Sequence, residues 1–219
     1  MSFRFEFTRR PEFFEVFDDF AGFAATDWVI TTTEAGAGSA SEVLSDAAGG
    51  VLVVTNDNAD DDADFFQWAG GAGAVTEQFR FTAGKKLYFG IRFKLSDATQ
   101  SDFIAGLVIT DTAPLAHTDG IVFQKDDGDT NVDAHVTKDS TATDVTAATT
   151  LADDTWATLE FYYDGGDTIA LFKDGAGIGK AAITNAPDDE DLAVTFGIQN
   201  GAAAAKTLSV DWIRAVQER

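Results

Sequence analysis

Residues Thr155–Gly175 read TWATLEFYYDGGDTIALFKDG. Leu159, Phe161 and Tyr163 alternate with Thr158, Glu160 and Tyr162, a period of two that puts one set of side chains on each face of an extended strand. Asp164-Gly165-Gly166-Asp167 follows. Glycine accepts the positive φ that tight hairpin turns demand. The alternation then resumes over Thr168–Lys173 and stops at a second turn, Asp174-Gly175. The stretch is therefore an antiparallel hairpin, strands Trp156–Tyr163 and Thr168–Lys173.

The same reading extends outward in both directions. Strands are predicted at Val51–Thr55, Phe65–Ala69, Val75–Thr82, Leu87–Leu95, Phe103–Thr110, Gly120–Lys125, Val132–Lys138, Leu192–Gln199 and Thr207–Val216. Shorter ones are expected at Phe3–Phe7, Phe13–Phe17 and Trp28–Thr32. Asp119-Gly120, Asp127-Gly128 and Asn200-Gly201 punctuate them. Glu34–Gly50, rich in Ala, Gly and Ser, reads as a loop or irregular edge, and Thr137–Thr150 as an exposed strand with a loop. Many short strands with close turns and almost no helical period give an all-β, antiparallel two-sheet β-sandwich or jelly roll. Residues 1–20 are expected to form an N-terminal arm or edge strand, and residues 21–219 a single sandwich domain. A chain of 219 residues with 19 Phe has enough apolar material for one core.

Composition narrows the function. The formal net charge is −22. Such a chain repels phosphate backbones and anionic membranes, so neither nucleic acid nor membrane is an expected partner. There is no cysteine, which removes thiolate chemistry and disulfides. The N-terminus lacks the apolar core of a secretory signal.

Several residue groups carry possible chemistry. Asp57, Asp60, Asp62 and Asp64 lie in one acidic run, the oxygen-donor type that Ca²⁺ prefers, although the central Gly and closing Glu of an EF-hand loop are missing. A solvated acidic turn accounts for them, and no ion is expected to be required. Asp126-Asp127-Gly128-Asp129 reads as a plain turn. Glycoside hydrolysis needs paired carboxylates, and in sandwich glucanases they alternate along one strand. Here Glu160 and Glu77 each stand alone on their strands, and no catalytic residue is expected. His117 and His135 are far apart in sequence and read as surface or edge-strand histidines. Trp156 and Trp212 are expected in the core. Trp68, beside the acidic run, is the candidate ligand contact. In the N-terminal arm Phe3, Phe5 and Phe7 alternate with Arg4 and Glu6, followed by Arg9 and Arg10. Three aromatics and three arginines against one acid make Phe3, Arg4, Phe5, Phe7, Arg9 and Arg10 the candidate partner-binding residues.

The hairpin Thr155–Gly175, with its Trp, F-x-Y-D-G and L-F-x-D-G, resembles a pair of strands in concanavalin A-like (laminin-G-like) jelly rolls. Leu192–Gln199, Asn200-Gly201 and Val210-Asp211-Trp212-Ile213-Arg214-Ala215-Val216 look like the closing strands of that fold. Within it, the chain looks most like the capsid decoration or cement proteins of tailed bacteriophage virions. That resemblance implies a non-enzymatic structural role on the outer surface of a phage head, in a virion made in the host cytoplasm. The implied partners are the major capsid protein and further copies of the chain, a homo-oligomer with a trimer among the candidates, and no cofactor. The alternative it leaves open is a carbohydrate-binding, lectin-like module of a tail fibre or surface protein.

Overall fold

A computed structural model describes residues 12–219. The candidate arm residues Phe3, Arg4, Phe5, Phe7, Arg9 and Arg10 lie outside the described residues.

The strands, in chain order, are β1 (Phe13–Asp18), β2 (Trp28–Thr33), β3 (Ser41–Leu44), β4 (Leu52–Thr55), β5 (Ala63–Trp68), β6 (Leu87–Leu95), β7 (Ser101–Val108), β8 (Gly120–Lys125), β9 (Asn131–Lys138), β10 (Thr141–Thr150), β11 (Ala157–Tyr163), β12 (Thr168–Lys173), β13 (Ala176–Ala182), β14 (Ala193–Asn200) and β15 (Thr207–Glu218). They form two antiparallel sheets. Sheet A runs β13-β12-β11-β6-β15-β4-β3. Strand β1 also pairs with β15, on the edge that β15 shares with β4. An irregularity between Val210 and Trp212 separates those two pairings and lets one long strand serve both. Sheet B runs β10-β9-β8-β7-β14-β5-β2. The β11–β12 hairpin has the register that its alternation requires, with Phe161 opposite Leu171 and Tyr163 opposite Ile169.

The core lies between the sheets. From sheet A it takes Phe89, Ile91, Phe93, Leu159 and Phe161, and from sheet B Phe66, Phe103, Ile121, Phe123 and Phe196. An aromatic pair joins the layers, Phe93 of β6 stacking on Phe103 of β7 at 4.1 Å, and within sheet B Phe66 stacks on its cross-strand partner Phe196 at 4.6 Å. Each ring taken fully out of water contributes about 1.5–3 kcal/mol.

Four sequence expectations need correction. Val75–Thr82 is not a strand. Its one ladder contact is Phe79 with Leu192, and the segment crosses the end of the sandwich with Phe79 and Phe81 turned inward. Its alternation records buried rings, which a crossing segment also produces. Conversely, the segment expected as a loop or irregular edge contains a short regular edge strand, β3, and β13 comes from a Gly- and Ala-rich stretch with few strand-forming residues. Trp156 and Trp212 are not in the core. Both are half-buried on the outer face of sheet A, where the Arg92 guanidinium sits 4.5 Å from the Trp156 ring centre. Their neighbours Ala157 and Ile213 take the inward positions. The buried tryptophan is Trp28.

Candidate functional site

The side chains on the outer face of sheet B, pointing away from the core, divide it into two halves. Toward β5, β14 and β7 the outward residues include Ala63, Phe65, Ile104 and Val108, joined by Val122 from β8. These five are buried although they face away from the main core. The connection between β7 and β8 covers them, with Leu115 and Ile109 packed on top. Gln67 fastens this covering segment. Its amide donates to the Ile109 carbonyl at 3.0 Å and accepts from the Asp111 amide at 3.0 Å. Glu77 adds an acceptor for the Thr110 amide at 2.7 Å.

Toward β8, β9 and β10 the outward positions turn polar and the covering segment ends. Gln124 leads β8, His135 and Thr137 follow on β9, and Asp144 stands opposite His135 on β10. A pocket of ≈ 250 Å³ opens here, lined by Leu115, Ala116, His117, Gln124, His135, Thr137, Ser140 and Ala142. His135 Nδ1 lies 2.7 Å from Asp144 Oδ1. A neutral imidazole there donates from Nδ1 and keeps Nε2 as an acceptor, with its ring orientation held by the carboxylate. His117 Nδ1 is 2.9 Å from the Pro114 carbonyl. A carbonyl only accepts, so Nδ1 carries the proton. Burial holds the His117 pKa below its ordinary value. Farther along β9 and β10, beside the β8–β9 turn, a second pocket of ≈ 240 Å³ is lined by Asp126, Asp127, Asp129, Asn131, Asp133, Thr146 and Ala147. Gln124 Nε2 donates to Asp126 Oδ1 at 2.9 Å and so links the two. Strand β10 breaks its register between Val145 and Thr149, and the Ala147 amide there donates to Asp133 Oδ1 at 2.7 Å. The result is a polar groove along β8 and β9.

The sequence candidates fall elsewhere. Trp68 is half-buried, packs against the core and meets Trp28 edge-on at 5.0 Å. Of the acidic run, Asp60 is exposed, and Asp62 accepts the amides of Ala35 and Ala59 at 2.6 and 2.9 Å. The Asp57 carbonyl accepts from Asn200 Nδ2 at 2.7 Å, and Asp64 lies beneath, accepting the Thr32 hydroxyl at 2.5 Å. Among the described residues no group of three or more His, Asp or Glu is placed to hold a metal ion. Glu160 accepts the Tyr88 hydroxyl at 2.8 Å on sheet A, remote from Glu77. The two histidines, read as unrelated, line one pocket.

No family model and no curated protein matches the sequence. The fold does match solved structures. A protein of unknown function from Shewanella oneidensis MR-1 is 18% identical, with 94% of this chain and 87% of that chain covered and a TM-score of 0.62. A β-1,3-1,4-glucanase (lichenase) from a mouse hindgut metagenome is 14% identical, covering 92% and 98%, with a TM-score of 0.62. The carbohydrate recognition domain of Emp46p is 9% identical, covering 87% and 88%, with a TM-score of 0.54. Other similar folds include further glucanases and a glucuronan lyase. The chain is thus a concanavalin A-like jelly roll of the type also seen in glycoside hydrolases. At these identities the likeness is one of fold. Two expectations change. Nothing in the comparisons supports a virion or capsid role. The expectation that the chain is not an enzyme is also overturned as a fold-level inference, because glucanases and a lyase recur among its neighbours.

Proposed function

We propose that the protein binds a glycan in the groove along β8 and β9, at the pocket formed by Gln124, His135, Thr137 and Ser140. One observation carries this reading: where the cover over sheet B's outer face ends, planar and hydroxylated polar side chains gather in a pocket beside Leu115 and Ala142. Sugar hydroxyls need such donors and acceptors, and sugar C–H faces need the apolar patches. Similar folds that are glucanases or a carbohydrate recognition domain support the ligand class. The net charge of −22 and the carboxylates of the second pocket disfavour uronic-acid polymers, so the expected ligand is a neutral glucan-type chain.

Titration calorimetry with neutral gluco-oligosaccharides tests the reading. Binding is expected, with a loss of at least about tenfold in His135→Ala, since removing a hydrogen-bonding group from a site costs on the order of 1.5 kcal/mol. No binding by any neutral or acidic oligosaccharide would remove the reading. A reducing-end assay on the same samples extends it: sugar release lost in Asp144→Asn would make the site catalytic.

A further inference from the structure

Leu115, Ala116 and His117, which line the pocket beside Gln124 and His135, all come from the 109–119 segment that covers the other half of the face. Leu115 also packs on the buried patch of Ile104, Val108 and Val122. One wall of the pocket and the cover of the small core are therefore a single piece of chain, and neither moves without the other. His117 is where this piece returns to the sheet. Its ring lies over the backbone of Gly120, the first residue of β8, where a Cβ would sit 3.0 Å from Cδ2 and 3.4 Å from Nε2. The bond from Nδ1 to the Pro114 carbonyl fixes the ring, and Nε2 is buried with no hydrogen-bond partner.

The titratable groups that act on this ring are His135 from β9 and Asp111 and Asp119 from the covering segment itself. Each is engaged elsewhere. Asp111 accepts the Ala113 amide at 2.9 Å, Asp119 accepts the Asp139 amide at 3.0 Å, and His135 is paired with Asp144. A neutral His117 leaves one lone pair unsatisfied. An imidazolium would bury a second N–H donor and a positive charge with no acceptor, a costlier state. Burial accordingly holds the His117 pKa below its ordinary value. Proton uptake becomes easy only when the ring leaves Gly120 for water, and the segment that carries it leaves with it.

We propose that protonation of His117 lifts the 109–119 segment off sheet B, so that the pocket loses one wall and releases its glycan in acid. The release rests on the glycan reading and the lifting does not. Hydrogen exchange of the unliganded chain, compared between about pH 7.5 and about pH 5 and corrected for the intrinsic rates, tests the lifting. The probes are the Ile109, Asp111 and Ala116 amides, bonded to Asp119, Gln67 and Ala113. A freed histidine with an ordinary pKa of about 6.5 favours the open form at pH 5 by at most about thirtyfold. Protection at the three amides is expected to fall several-fold within that limit, with exchange faster than at the β11 amides. His117→Asn places an amide nitrogen where Nδ1 stood and has no second nitrogen to protonate, so the fall should vanish there. Unchanged protection, a fall that persists in His117→Asn, or exchange no faster than in β11 overturns the lifting. If His117→Asn fails to fold, the imidazole titration of the unaltered chain decides: a His117 midpoint that coincides with the loss of protection supports the lifting, and one that does not overturns it. Calorimetry at the same two pH values tests the release. Kd is expected to weaken in acid by a larger factor in the unaltered chain than in His117→Asn. Equal factors overturn the release alone, and no glycan binding at either pH overturns the release together with the glycan reading while exchange still decides the lifting.

Discussion

The covered and the open halves of sheet B's outer face share one sheet and one side-chain parity, yet they have opposite fates. Where the outward residues are Phe65, Ile104, Val108 and Val122, the β7–β8 connection lies down on them and forms a second, smaller core. Where they are Gln124, His135 and Asp144, no apolar surface rewards such a cover, and a groove remains. The lesson is that the identity of the outward residue on each strand, more than the sheet itself, decides whether a jelly-roll face becomes interior or site. Gln67 stands in the covered half, where both ends of its amide hold the covering segment in place.

Breaking the covered half should produce the largest effect. Ile104→Ala removes a fully buried side chain and is expected to destabilise by about 2–5 kcal/mol, read from urea unfolding. A loss below about 1 kcal/mol would mean that the cover moves aside in solution. Gln67→Ala should cost less, about 1–3 kcal/mol, because it leaves the Ile109 carbonyl and Asp111 amide unpaired. Its distinctive mark is faster hydrogen exchange at the Asp111 amide.

His117, at the seam between the halves, gives a pH signature. Its folded pKa lies below the ordinary histidine value, so unfolding takes up a proton in the window between the two. Stability is therefore expected to fall as pH drops below about 6.5, levelling once the folded pKa is passed. His117→Gln should remove that share of the slope, and urea midpoints across pH 5–8 would measure it. The smallest stability effect belongs to the open half. Asp144 is largely solvent-exposed, so Asp144→Asn should change stability by under about 1 kcal/mol while altering glycan binding. A larger destabilisation would make the His135–Asp144 pair structural.

The sequence was most legible where a single strand pair carried the whole signal. The β11–β12 hairpin has clean alternation and two glycine turns, and its register follows from them. Legibility failed where the alternation had another cause, as at Phe79 and Phe81, or where a strand is held by its neighbour rather than by its own residues, as at β13. It failed most at the site. Gln124, His135 and Asp144 come from three strands, and His117 from the covering segment, so no local spacing announces them. The one available signal is parity: once the strand pairing is known, outward positions along β8, β9 and β10 place His135 between Val122 and Asp144, with Gln124 one outward position along from Val122, opposite Asp133. The tryptophans mislead because a large ring beside a core strand can sit on the strand's outward parity, as at Trp156 and Trp212. Both lie on sheet A's outer face, where Arg92 and Lys94 sit over the Trp156 ring.

Amide shift mapping on ¹⁵N-labelled protein, titrated with a neutral gluco-oligosaccharide, separates the two faces directly. The account predicts that the perturbed amides cluster at Gln124, His135, Thr137 and Ala142, with the covered half and sheet A unchanged. Perturbations centred on Trp156 and Trp212, or around Trp68, would contradict it.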